Sequence, residues 1–120
     1  MQEKLNLTSV MRQLIDFTDS PDEALRSKGF TEIARLAAEL PRDAPGETGF
    51  LDNALFCARK HASDTSEAVR QAVTSALSAI GARNALWREA ALETADEIAL
   101  QPSDAAKQVA GAARAQTRDA

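Results

Sequence analysis

Apolar residues recur along this chain every three to four positions, the spacing that gathers them on one face of an α-helix. Over residues 21–40, Leu25, Gly29, Phe30, Ile33, Leu36, Ala37 and Leu40 fall on one side. Lys28, Glu32, Arg35 and Glu39 fall on the other, spaced for two i,i+4 ion pairs. Over 66–80 the apolar stripe is Val69, Ala72, Val73, Ala76, Leu77 and Ile80. No stretch keeps the period of two that a half-buried strand requires. Start and stop residues cut the pattern into six. Ser20-Pro21, with Glu23 three after Ser20, has the form of a capping box with proline at the first helical position. Pro41, Pro45, Gly46 and Gly49 mark the longest loop. Ser66, Asn84 and Ser103 are N-cap candidates, and Gly81 suits a left-handed position at a helix end. The pattern predicts helices at 4–18, 21–40, 50–62, 66–80, 85–100 and 103–117, and an all-α fold.

Composition narrows how those helices pack. Alanine fills 25 of 120 positions, while the aromatics are only Phe17, Phe30, Phe50, Phe56 and Trp87. Small side chains of high helix propensity suit closely packed helices rather than a β-sandwich. At 44% hydrophobic and 27% charged, residues 1–120 are expected to fold as a single domain. One cysteine, Cys57, leaves no disulfide framework, and one histidine, His61, leaves no histidine-rich metal site, so no metal and no cofactor is expected. The net charge of −4 disfavours general nucleic-acid binding, which needs a basic face. No run approaches the roughly 20 apolar residues of a membrane span, and no leader pattern stands at the start. A cytoplasmic protein without a membrane partner is the expectation.

The segments repeat. Glu23-Ala24-Leu25-Arg26 recurs as Glu67-Ala68-Val69-Arg70, a shift of 44 residues. Ser66-Glu67-Ala68-Val69-Arg70-Gln71 recurs as Ser103-Asp104-Ala105-Ala106-Lys107-Gln108, a shift of 37. A helix pair at such a period lies in the range of α-solenoids, where each pair buries its apolar side on its neighbours. Leu14-Ile15-Asp16-Phe17-Thr18-Asp19-Ser20-Pro21-Asp22-Glu23-Ala24-Leu25-Arg26 resembles the junction of a HEAT repeat: an apolar helix, an Asp-rich turn, then an apolar-Arg pair. Ser63-Asp64-Thr65-Ser66-Glu67-Ala68-Val69-Arg70, running on to Ala76-Leu77-Ser78-Ala79-Ile80-Gly81, is the best match, and Ala106-Lys107 departs from it in the third unit. The resemblance implies a short right-handed α-solenoid of three antiparallel pairs, roughly 4–40, 50–81 and 84–118. It also implies a ladder of turn Asp and helix Arg between repeats, at Asp19, Arg26, Asp64 and Arg70, with Asp64 and Arg70 bridging adjacent repeats. The second helices would line a concave groove, with Arg70, Gln71, Thr74, Ser75 and Ser78 at its centre.

Other clusters follow from spacing alone. Glu89, Glu93, Asp96 and Glu97 form an acidic stripe opposite Trp87, Ala91, Ala95 and Ile98. It reads either as a solvated face or as a docking surface for a basic partner; acid–base catalysis would need a cleft and two divergent carboxyl pKa values. Lys107, Gly111, Arg114 and Arg118 line up on the last helix, where cations complement the helix dipole or offer a small basic patch. Cys57 and His61 share a helix face, and a buried thiol beside a helix-end histidine is a plainer reading than a nucleophile pair. Phe56, off its helix's main stripe, is expected in the core between repeats, the alternative being an exposed anchor. With no convergent nucleophile, base or metal cluster, the expected function is a non-enzymatic protein-binding module, an adaptor or scaffold. The alternative is a small acidic inhibitor or immunity-type protein that blocks a basic site. A DNA-associated protein of HEAT-like fold and a weak homodimer stand behind these.

Overall fold

A computed structural model of the chain describes residues 6–42 and 44–118. They form six helices and, among the described residues, no strand: α1 Leu7–Thr18, α2 Glu23–Glu39, α3 Glu47–His61, α4 Glu67–Gly81, α5 Ala85–Ala99 and α6 Asp104–Arg118. Local chemistry accounts for their starts. Asn6, Asp22, Ser66 and Asn84 accept from the backbone N–H groups of Ser9, Ala24, Val69 and Trp87. The Ser103 hydroxyl accepts from Ala106 in the same manner. Each such cap satisfies a donor that the helix itself leaves open.

Three punctuation marks act differently from the sequence expectation. Helix α2 starts at Glu23 behind an Asp22 cap; Ser20 accepts from the Asp22 N–H instead, 3.0 Å away. Helix α3 starts three residues earlier than expected, because Gly46 takes the left-handed conformation (φ 83°) and turns the chain. Gly81 ends α4 without a positive φ. Its role is close approach, since a Cβ there would lie 2.7 Å from Thr117 Cγ2 and 3.4 Å from Ala91 Cβ. Gly29 serves α1 and α2 likewise, a Cβ there falling 2.9 Å from Thr18 Cγ2 and 3.2 Å from the Thr18 nitrogen.

Contacts arrange the helices in two rows. In one, α1 touches α3 and α3 touches α5; in the other, α2 touches α4 and α4 touches α6. Consecutive helices α1–α2, α3–α4 and α5–α6 join the rows, and α4 also meets α5. Helix α4 therefore packs on four others. The whole of its predicted stripe is buried, together with Phe30, Ile33, Phe50, Leu51, Ala54 and Ile98. Each large side chain so buried contributes on the order of 1.5–3 kcal/mol. The most extensive contact is α2 on α4. On the outer side of α2, Arg35 binds both Glu32 and Glu39, so the two expected i,i+4 pairs become one branched cluster centred on a single arginine. Phe56 is not in the core: it is 59% exposed, and Leu86 and Leu100 are exposed too.

Candidate functional site

The recurring Glu-x-x-Arg of α2 and α4 places two arginines in equivalent positions, and their surroundings differ. Arg26 donates from Nη1 to the carbonyls of Ser20 and Pro21, at 3.1 and 3.0 Å. Its other edge, Nε and Nη2, holds both oxygens of Asp64 at 2.9 and 3.2 Å. That fork-on-fork geometry is the strong form of an ion pair, and Asp64 is nearly buried in it. Beside it, the Ser66 hydroxyl donates to Glu23 Oε1 over 2.7 Å. The turn before α4 is thus clamped onto the start of α2 by three side-chain hydrogen bonds from two residue pairs. Burial alone would raise the Asp64 pKa, but Arg26 and the Ser66 N–H outweigh it and hold the carboxyl below its ordinary value.

Arg70 repeats half of this arrangement. Its Nη1 donates to the Asp64 carbonyl at 2.7 Å, six residues back as in Arg26. Its Nε–Nη2 edge holds no carboxylate among the described residues. By the 37-residue shift, the place of Asp64 in the third pair falls to Gln101, whose amide donates to the Arg59 carbonyl at 2.9 Å. The expectation that Asp64 and Arg70 both bridge repeats is therefore half right. Asp64 bridges to Arg26, whereas Arg70 ties only the turn of its own pair. Asp19 bridges by another route, accepting from His61 Nε2 (2.8 Å) and Lys60 Nζ (3.0 Å). The His61 hydrogen bond, helped by Lys60, lowers the Asp19 pKa against the opposing effect of burial.

Half-buried Arg70 borders a cleft of about 160 Å³ between α4 and α6, lined also by Glu67, Gln71, Thr74, Gln108, Val109 and Ala112. Of the expected groove residues, Gln71 and Ser75 are exposed and Ser78 is half-buried. Gln71 leans on Glu67 Oε1 at 3.4 Å. Thr74, which helps line the cleft, is 7% exposed, with its hydroxyl donating to the Arg70 carbonyl at 3.0 Å.

The acidic stripe is exposed along its length, with Trp87, Ala91, Ala95 and Ile98 buried behind it. Its four carboxylates are not alike. Asp96 is paired with Arg114 of α6, and Glu97 lies 3.4 Å from Arg59 of α3. Glu89 and Glu93 have no ion pair among the described residues. The line of cations on α6 is correspondingly shortened, because Arg114 is occupied by Asp96 and the Arg118 side chain lies outside the described residues.

Cys57 is buried, and burial raises its pKa, so the thiol lacks the thiolate character of a nucleophile. His61 turns away to Asp19 and packs edge-on against Phe30, with ring centroids 5.7 Å apart. Among the described residues no three His, Cys, Asp or Glu side chains gather into a metal site. No described helix is long and apolar enough to cross a membrane.

One residue carried no signal in the sequence. Arg83, between α4 and α5, is 8% exposed and donates to the carbonyls of Leu40 and Pro41 (3.0 and 3.1 Å), to that of Ala37, and to the Glu47 carboxylate. It gathers the end of α2, the start of α3 and the α4–α5 turn. Its partners are 36 to 46 residues distant along the chain, which no local periodicity registers. Against family models, curated proteins and solved structures, the chain finds no match.

Proposed function

We propose that this chain is a small HEAT-like, right-handed α-solenoid that binds another protein through the polar face of α4, without chemistry of its own and without a cofactor. The observation that carries the reading is the contrast on α4. Four helices bury its apolar side, yet Arg70 and Gln71 line a cleft, and Ser75 and Ser78 stay accessible further along the helix. Small polar groups there permit another chain to approach closely and to form hydrogen bonds at little desolvation cost. The three recurring pairs and the two rows of contacts support the solenoid reading, in which such a face is the concave one. A cytoplasmic setting accords with the single buried cysteine.

A second reading is favoured by one observation of its own. Glu89 and Glu93 are exposed and have no ion pair among the described residues, on a helix that exposes Leu86 and is capped by exposed Leu100. An acidic inhibitor or immunity-type protein would use that face to occlude a basic site. Affinity capture from the native host, followed by titration of variants against the captured protein, tests both. The groove reading expects Ser75→Trp to raise the dissociation rate by roughly tenfold or more, and Glu89→Lys with Glu93→Lys to leave binding intact. The inhibitor reading expects the reverse: the lysines slow association and flatten its salt dependence. Binding unmoved by either set removes both surfaces.

A further inference from the structure

The two equivalent arginines, Arg26 and Arg70, have unequal partners. At the first junction one guanidinium edge is spent on two carbonyls and the other on a carboxylate supplied by the next helix pair. At the second junction the carbonyl-facing edge is used again, and no carboxylate among the described residues meets the other edge, because glutamine stands in the aspartate's place and is drawn toward α3. The Nε–Nη2 edge, without a partner among the described residues, belongs to a half-buried side chain lining an accessible cleft. Guanidinium favours a planar, two-oxygen acceptor, and a carboxylate is the side chain that supplies one.

From this we infer that Arg70 is the anchor for an acidic side chain, aspartate or glutamate, presented by a protein partner in the α4–α6 cleft, where it takes the place that Asp64 occupies on Arg26. The inference rests on the groove reading for the identity of the partner as a protein. Glu67 borders the same cleft and does not oppose it decisively. Glu23 stands in the equivalent position at the first junction, and Arg26 holds the Asp64 carboxylate there nonetheless. The Gln71 amide, resting on Glu67, further disperses that charge. Gln108 lines the facing wall and offers a neutral donor to a carboxylate already held by the arginine. The chain's overall acidity keeps such a contact selective: a diffuse polyanion is repelled, while one acid delivered into the cleft meets a local cation.

The test uses the intact chain, a short aspartate-containing peptide, and the same peptide with asparagine. Titration followed on the arginine Nε–H resonances is expected to move Arg70 and leave Arg26 unmoved. Arg70→Gln is expected to weaken aspartate-peptide binding roughly tenfold, the value of one partly buried, charge-assisted pair. Gln101→Asp places a carboxylate at the position of Asp64 and is expected to compete, weakening the peptide similarly, whereas Gln101→Asn is not. Equal binding of the two peptides, or equal binding by wild type and Arg70→Gln, overturns the inference. Thermal melting confirms that each variant is folded before it is titrated. The groove reading is tested separately: if the host partner stays bound to both Ser75→Trp and Arg70→Gln while the aspartate peptide still distinguishes wild type from Arg70→Gln, Arg70 holds a carboxylate but the polar face of α4 is not where the host protein binds.

Discussion

The two junctions along the even-numbered row are built from the same recurring sequence and closed to different degrees. Between α2 and α4, Arg26 binds Asp64, Ser66 binds Glu23, and Arg83 draws the far end of α2 toward the start of α3. On the other row, Asp19 gathers His61 and Lys60. Between α4 and α6 the closure is chiefly steric: Gly81 lets Thr117 approach, and Val109, Ala110 and Ala113 are buried. The equivalents of the first junction's polar clamps, Arg70 and Glu67, instead border a cleft. Two helices can therefore be held together chiefly by apolar packing, with polar groups of one of them left beside a cleft. Among the described residues, the polar clamps fall at the first junction and not at the second.

Arg83 offers the largest break in that contrast. Replacing it with alanine leaves Glu47 and three carbonyls without their shared donor, on the closed side of the molecule. The expected loss is about 3 kcal/mol or more, read as a fall in the midpoint of urea unfolding. Next comes a matched pair of variants. Asp64→Ala removes a bidentate partner and the bond to the Ser66 N–H, and is expected to cost about 1–3 kcal/mol. Arg70→Ala removes one bond to a carbonyl and is expected to cost less than about 1 kcal/mol. Equal losses for the two would erase the difference between the junctions.

Acid sharpens the comparison further. The Asp19 and Asp64 carboxyls, both on the clamped side, sit below their ordinary pKa in the folded chain. A lowered folded-state pKa contributes stability that is present above the unfolded value, near pH 4, and is lost as pH falls through the folded value. Melting temperature measured downward from pH 6 is expected to start falling near pH 4, and Asp64→Asn is expected to flatten that fall. The smallest effect belongs to the α5 stripe. Glu89→Lys is expected to change stability by no more than about 0.5 kcal/mol, since the carboxylate is exposed and has no ion pair among the described residues.

Much of this was legible in the chain, for a specific reason. Helix α4 could be read because Val69, Val73, Leu77 and Ile80 recur at helical spacing, and burial follows periodicity when one face has neighbours. The acidic stripe was legible as exposed by the same logic. Gly81 was misread because glycine at a helix end serves either a left-handed turn or a close approach, and only the position of Thr117 distinguishes them. Phe56 was misread because its neighbours along the chain do not say whether another helix covers it.

Sequence alone thus determined the six helices, their caps at Ser66, Asn84 and Ser103, and the equivalence of Arg26 with Arg70, all matters of spacing within a turn or of recurrence along the chain. Tertiary structure decided the partners. Whether an arginine meets a carboxylate, as Arg26 does, or a cleft, as Arg70 does, depends on which distant turn is brought beside it. The same holds for Arg83, whose acceptors come together only when the end of α2 and the start of α3 converge on it. Hydrogen bonds act over about 3 Å, so contacts made across rows of helices leave no trace in the local pattern of residues.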